Sequence, residues 1–216
     1  MAKYGTIIWL SILAVTAGFL ISPATNSLFL ETTAKHPYIM GFVKFSILSM
    51  MGEFLAARFV YGKWTKIKGL FPKMVVWGIL GIMIVAMFSI FSHGVDGAAA
   101  DGLLYLNGSK LLRAFLISAI MNLTFAPVFM ASHRITDLYI DSKYAGQTTS
   151  ISEIIGQTDW GKFIKDIVIK TIPLFWIPAH TITFMLPGGY KVLFAASLSI
   201  VLGLILSFAK MKNKGE

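Results

Sequence analysis

The chain contains no cysteine, so neither a disulfide nor a thiolate metal site can form within it. Charge is scarce too. Charged residues make up 13% of the 216, and only ten of these are Asp or Glu. Soluble domains carry about 25% charged residues. So few charges leave a soluble protein of this size without a hydrated surface. Disorder is excluded for the opposite reason, since disordered chains are poor in apolar residues. No internal repeat is visible, and there is no Walker A, H-E-x-x-H or G-x-S-x-G pattern. ATP-driven transport by this chain alone is therefore not expected.

What the sequence has in abundance is apolar residues, at 56%, with a mean hydropathy of +0.74. They fall in long runs and do not alternate, which disfavours a membrane β-barrel. A helix needs about 20 apolar residues to cross the hydrocarbon core, and the chain accommodates about six such spans. The expected fold is an all-α integral membrane protein: a compact bundle of about six hydrophobic helices plus one amphipathic interfacial helix. No room is left for a second, soluble domain.

The first run is Thr6 to about Ile21, and the end of the run makes a poor signal-peptidase site. It is expected to be retained. No Arg-rich presequence precedes it, so no mitochondrial presequence is expected either. The second run is Tyr38 to about Val60, and the third is Met74 to about Phe91. The fourth, Leu111 to about Ser132, contains Arg113, Asn122 and Pro127. The fifth, about Thr171 to Leu186, holds Pro173, Pro178 and His180, and the sixth is Lys191 to about Phe208. Pro187-Gly188-Gly189-Tyr190 reads as a tight turn between the last two.

Before the fifth run, Trp160, Phe163, Ile164, Ile167 and Val168 repeat at helical spacing, opposite Lys162, Lys165, Asp166 and Lys170. That pattern fits a helix lying in the membrane interface, or a polar start to the fifth span. Residues 134–158 are expected to form a loop, and Gly97-Ala98-Ala99-Ala100 to lie in a loop on the opposite side. The organisation is thus an extra N-terminal membrane helix and linker (residues 1–35), a helical membrane domain (36–210) and a basic tail (211–216).

The net charge of +9 comes from basic residues scattered between apolar runs, which argues against nucleic acid as a partner. With six spans, one side collects Lys3, then Arg58, Lys63, Lys66, Lys68 and Lys73. The same side takes Arg134, Lys143, Lys162, Lys165 and Lys170, then Lys210, Lys212 and Lys214. The other side has Lys35, Lys110, Arg113 and Lys191. The positive-inside rule then puts both termini in the cytoplasm.

Glu53 is the most informative side chain, because a carboxylate deep in an apolar run needs a partner or water. It suits a pore-lining group or a structural hydrogen bond between helices. Lys44 is about half a turn out of phase with it and is expected to snorkel to the interface. Pro173 and Pro178 interrupt the helix near Trp176 and free backbone carbonyls, with His180, Thr181 and Thr183 following. Broken helices of this kind line cavities or are packed by neighbours.

Asn122 and Thr124 can donate to Glu53 or to the freed carbonyls. Pro127, Pro173, Pro178 and Pro187 are the expected kinks. Ala195, Ser199, Gly203 and Ser207 form a stripe of small residues for close helix packing, inside the monomer or between copies in a homo-oligomer. His133, Asp137 and Asp141 recur every four residues, which would suit a metal site; a polar helix end at the interface is the preferred reading. His93 and Asp96 form an isolated pair near a span end. No cofactor, metal or catalytic residue is expected.

Several motifs, taken in order, resemble the Mpv-seventeen and twenty-two-kilodalton peroxisomal membrane protein family over roughly four fifths of the chain. His36-Pro37 opens the first matching helix, and Gly52-Glu53 stands where that family has Gly-Asp. Asn122 takes the place of a family glutamine, and Phe125-Ala126-Pro127 matches aromatic-Ala-Pro. Trp176 and Pro178 resemble Trp-Pro; Pro187, Tyr190 and Lys191 resemble Val-Pro-x-x-Tyr-Arg; Leu206-Ser207 resembles the closing Leu-Ser. Ala57, Met121 and the inserted Ile177 depart from the pattern, and residues 1–35 have no counterpart.

The resemblance implies a divergent bacterial member. It would be a multi-pass protein of the cytoplasmic membrane, or of an organelle membrane in the alternative. It further implies a weakly selective channel or passive permeation protein for ions or small metabolites, with no enzyme activity. Glu53, Asn122, Trp176, His180 and Thr183 are the expected lining or gating residues. A non-conducting assembly protein is the second expectation, and a membrane enzyme using His133 and Asp137 the third.

Overall fold

Apolar runs of this length satisfy their own backbone only as helices, and the computed structural model contains no strand among the described residues. It describes residues 4–212, with side chains described as far as residue 205. Ser207, Lys210 and Lys212 thus lie outside the described side chains, and Lys3 and Lys214 outside the described residues.

Helix α1 (Gly5–Ile21) turns by 89° at Ser22 into α2 (Pro23–Lys35). The linker expected there is therefore helical. Pro23 suits the first turn of α2, where its missing N–H costs nothing. Helix α3 (Pro37–Tyr61) and the 31-residue α4 (Leu70–Ala100) follow. Gly97–Ala100, expected in a loop, is the last turn of α4.

The fourth run divides into α5 (Lys110–Thr124) and α6 (Ala126–Tyr144), bent by 48° where Pro127 enters the first turn of α6. Helix α6 extends to Tyr144, so residues 134–144 are not the expected loop. A short α7 (Ile151–Gln157), with Ser150 and Glu153 capping each other's backbone, completes that stretch.

Residues 160–185 form one continuous segment: α8 (Trp160–Lys162), a π-helix (Phe163–Trp176) and α9 (Ile177–Met185). The amphipathic stretch is thus continuous with the helix of the fifth apolar run and is not a separate helix. The expected apolar face persists at Trp160, Ile167 and Val168, which are half-buried opposite the exposed Lys162, Lys165 and Lys170, while the wider π-helical turn moves Ile164 off it. Phe163 and Ile172 are buried, whereas Ile164 is exposed. Pro173 sits inside the π-helix, and Pro178 is absorbed in the first turn of α9. After Pro187, the amide of Tyr190 bonds back to the Pro187 carbonyl, and α10 (Gly188–Lys212) begins.

Among the described residues, four helices are long and apolar enough to cross a membrane, or up to six if each bent pair is one span. Their outer faces carry many large exposed apolar side chains, among them Ile79, Ile90, Leu123, Val128 and Ile169. This is compatible with a membrane-embedded protein.

The most extensive contacts join α3 to α10 and α3 to α4. Gly52 permits the first: a Cβ there would lie 2.8 Å from the backbone of Ser199. Ala195, Ser199 and Gly203 accordingly face α3, and the Ser199 hydroxyl donates to the Leu48 carbonyl at 3.3 Å. Gly69, left-handed at φ 66°, opens α4, and a side chain on it would collide with Ile140 of α6. That close approach sets the start of α4 beside the last turns of α6.

Candidate functional site: a one-ended polar cavity

Helices α3, α4 and α6 each place polar or aromatic side chains four residues apart: Ser49 and Glu53, Lys73 and Trp77, and His133, Asp137 and Asp141. Residues spaced by four share one helix face. All seven line a single cavity of about 860 Å³.

The mouth is ionic. Tyr61, Lys66, Lys68 and Arg134 are exposed around it. Just inside, the buried Lys73 ammonium meets Asp137 at 2.6 Å and Asp141 at 2.9 Å. This pair of contacts ties α4 to α6.

One turn deeper, the Trp77 indole N–H donates to Glu53 Oε1 at 2.6 Å. The Trp77 ring lies 4.2 Å from the His133 ring. Glu53 makes no ion pair among the described residues, so its nearest support is a neutral donor.

The floor is neutral and polar. Asn122 Nδ2 donates to the Ser118 carbonyl at 2.8 Å and lies 3.0 Å from His180 Nδ1. The His180 ring stacks on Trp176 at 5.3 Å. Among the described residues, four buried polar atoms in the cavity wall have no hydrogen-bond partner: Ser49 Oγ, Trp176 Nε1, His133 Nδ1 and Asp137 Oδ1, the last met instead by the Lys73 ion pair. Buried polar groups are nearly always paired, so orphans gathered in one cavity mark a place where something else can bind.

Below the floor the bundle closes. Phe88 lies edge-on to His180 at 5.7 Å and packs on Phe184 at 4.8 Å. Phe88, Phe184, Ile117 and Ala196 are buried in a common apolar core.

Of the residues expected to line a pathway, Glu53, Asn122, Trp176 and His180 surround this cavity. Thr183 does not. It is fully buried one turn beyond His180, and its hydroxyl donates to the Ala179 carbonyl. Thr124 donates to Ile120 and reaches neither Glu53 nor the proline-interrupted helix. It is Ser118 that caps that helix, donating to the Ile177 carbonyl at 2.7 Å.

Three further expectations change. Lys44 does not snorkel: it is 5% exposed, covered by α2, with its ammonium 3.0 Å from Thr33 Oγ1 and 4.4 Å above the Phe29 ring. Asp96 does not pair with His93 but takes a bidentate grip from Arg113, while His93 bonds to Ser89. Of the expected polar helix end, His133 and Asp137 turn inward toward α4, whereas Asp141 stays half exposed near the end of α6. As to metal, Lys73 occupies both aspartates, and no group of three His, Asp or Glu among the described residues is placed to hold an ion.

Sequence reasoning passed over Lys73, Trp77 and Ser49. The signal was the shared four-residue spacing on three helices, which acquires meaning only once those helices are neighbours. No family model, curated protein or solved structure matches this chain.

Proposed function

We propose that the chain is an integral membrane protein, both termini cytoplasmic, and that the polar cavity is one half of a gated permeation pathway for ions or small metabolites. The observation that carries this reading is the cavity itself. It gathers costly polar residues of α3, α4, α5, α6 and α9 into one space and stops at the Phe88–Phe184 contact. A path open at one end and sealed at the other passes solute only if the seal moves, so the reading is a gated protein and not a standing pore. The family resemblance points the same way. The bacterial cytoplasmic membrane suits this orientation, with the Lys66, Lys68 and Arg134 mouth on the inner face.

The test is reconstitution of the purified protein in liposomes or planar bilayers. Solute flux or conductance should appear and should change severalfold in Glu53→Gln, which keeps the Trp77 hydrogen bond and removes the charge. Absence of both flux and conductance across pH and voltage overturns the proposal.

The membrane-enzyme reading has one observation in its favour, the inward convergence of His133 and Asp137. It has two against it. His133 Nδ1 has no orienting partner, which an acid–base dyad requires, and Lys73 holds the aspartate.

A further inference from the structure

We infer that the cavity is a binding site for a small organic ammonium compound carrying a hydrogen-bond acceptor, with Glu53 as the counter-ion. The inference rests on the cavity that the permeation reading invokes, and it adds the chemistry of the occupant.

Four observations converge on it. First, the inner charges do not balance. One ammonium, Lys73, contacts two carboxylates, while Glu53 makes no ion pair among the described residues and feels Lys73 only at longer range. A carboxylate in an apolar bundle needs a partner or loses its charge, and a cation in the cavity would supply that partner.

Second, the walls around Glu53 are aromatic: Phe45, Trp77, Phe125, Phe129 and Trp176 all line the cavity. Aromatic faces attract weakly hydrated cations, and recognition of quaternary ammonium groups uses this pairing of rings with a charge.

Third, Ser49 Oγ and Trp176 Nε1 lack partners. Ser49 is 1% exposed and lies one turn deeper than Glu53 on the same helix. An indole N–H can only donate, so the occupant must bring an acceptor: a hydroxyl, carbonyl or ether oxygen.

Fourth, the volume of about 860 Å³ is that of a small-molecule pocket and far exceeds a bare inorganic ion. Among the described residues, no group of three His, Asp or Glu is placed there to hold a metal ion.

Together these place the ammonium at the level of Glu53 and the acceptor at the floor, between Ser49 and Trp176. Basic residues at the mouth repel cations at long range, but bulk salt screens those exposed charges and leaves the interior carboxylate less affected.

The experiment is equilibrium binding to the purified full chain in detergent or nanodiscs, by calorimetry. Four probes separate the parts: choline (ammonium and hydroxyl), tetramethylammonium (ammonium alone), glycerol (hydroxyls alone) and acetate. Choline should bind best, tetramethylammonium more weakly, and glycerol and acetate should not register. Glu53→Gln should weaken choline at least tenfold. Trp176→Phe should weaken choline about fivefold, the cost of one hydrogen bond, and weaken tetramethylammonium less.

Failure of the folded wild type to bind either ammonium probe overturns the inference, as does undiminished choline binding in a folded Glu53→Gln protein. Flux of other solutes without ammonium binding would sink this inference and spare the permeation reading. Ammonium binding without flux or conductance of any solute would do the reverse.

Discussion

The two ends of the bundle share α4 and solve opposite problems. At the mouth end, α3, α4 and α6 turn Glu53, Lys73, His133 and Asp137 toward each other and leave space between them. At the sealed end, α4, α5 and α9 contribute Phe88, Ile117 and Phe184, and the space is gone. Each end also buries one lysine, in different ways. Lys73 is held by two carboxylates, whereas Lys44 has one hydroxyl and one ring. The contrast teaches that a buried charge here is not a general device for holding helices together. At the mouth it is matched and couples two helices; at the sealed end it is merely covered.

The comparison can be broken at four places, taken in descending order of effect. Truncating the seal comes first. Phe88→Ala should cost about 3–4 kcal/mol in detergent unfolding, because a large buried ring leaves a void. The same change should extend the cavity past His180 and raise basal flux in liposomes. Lower stability with unchanged flux would separate the seal from the gate.

Next comes the α3–α10 seam that both ends share. Gly52→Val forces a branched side chain against the Ser199 backbone and should cost about 3 kcal/mol, read as a lower unfolding midpoint. A neutral result would mean that α10 moves freely relative to α3.

The matched lysine is third. Lys73→Met strands Asp137 and Asp141. Since both aspartates keep some exposure, the cost should fall below that of a fully buried broken pair, at about 2 kcal/mol. Lys73→Met with Asp137→Asn and Asp141→Asn should recover most of it.

The covered lysine comes last. Lys44→Met removes a buried ammonium that no carboxylate meets, so stability should be unchanged or higher by up to about 1 kcal/mol. If Lys44→Met destabilises as much as Lys73→Met, the contrast between the two ends fails.

Much of the helical layout was legible because a lipid-compatible helix announces itself by length and hydropathy alone. Runs two, three and six correspond to α3, α4 and α10 with shifted ends. The errors have physical causes. Residues 134–144 look polar enough for a loop, yet the chain stays helical because Asp137 and Asp141 find Lys73 across the gap. Trp160–Val168 shows the 3.6-residue period of an amphipathic helix, but a π-helix with a longer step is formed. Lys44 reads as a snorkeling residue because the sequence does not reveal the 89° turn that folds α2 over it.

Glu53, Asn122, Trp176 and His180 stand out in the sequence, since polar groups in apolar runs are expensive wherever they end up. Lys73 and Trp77 do not, because each is unremarkable at the start of an apolar helix.

The sequence by itself determined that this chain is helical, where its apolar helices lie, and which few polar groups must be sheltered. Its lack of cysteine and shortage of acid removed whole classes of chemistry before any fold was known. Only the tertiary structure decided which sheltered groups meet. Close approach at Gly69 and Gly52 sets the spacing of α4 from α6 and of α3 from α10. That spacing gives Lys73 to two aspartates and leaves Glu53 facing an open cavity. The reason is geometric: hydropathy is a property of one segment, while pairing depends on the distance between two.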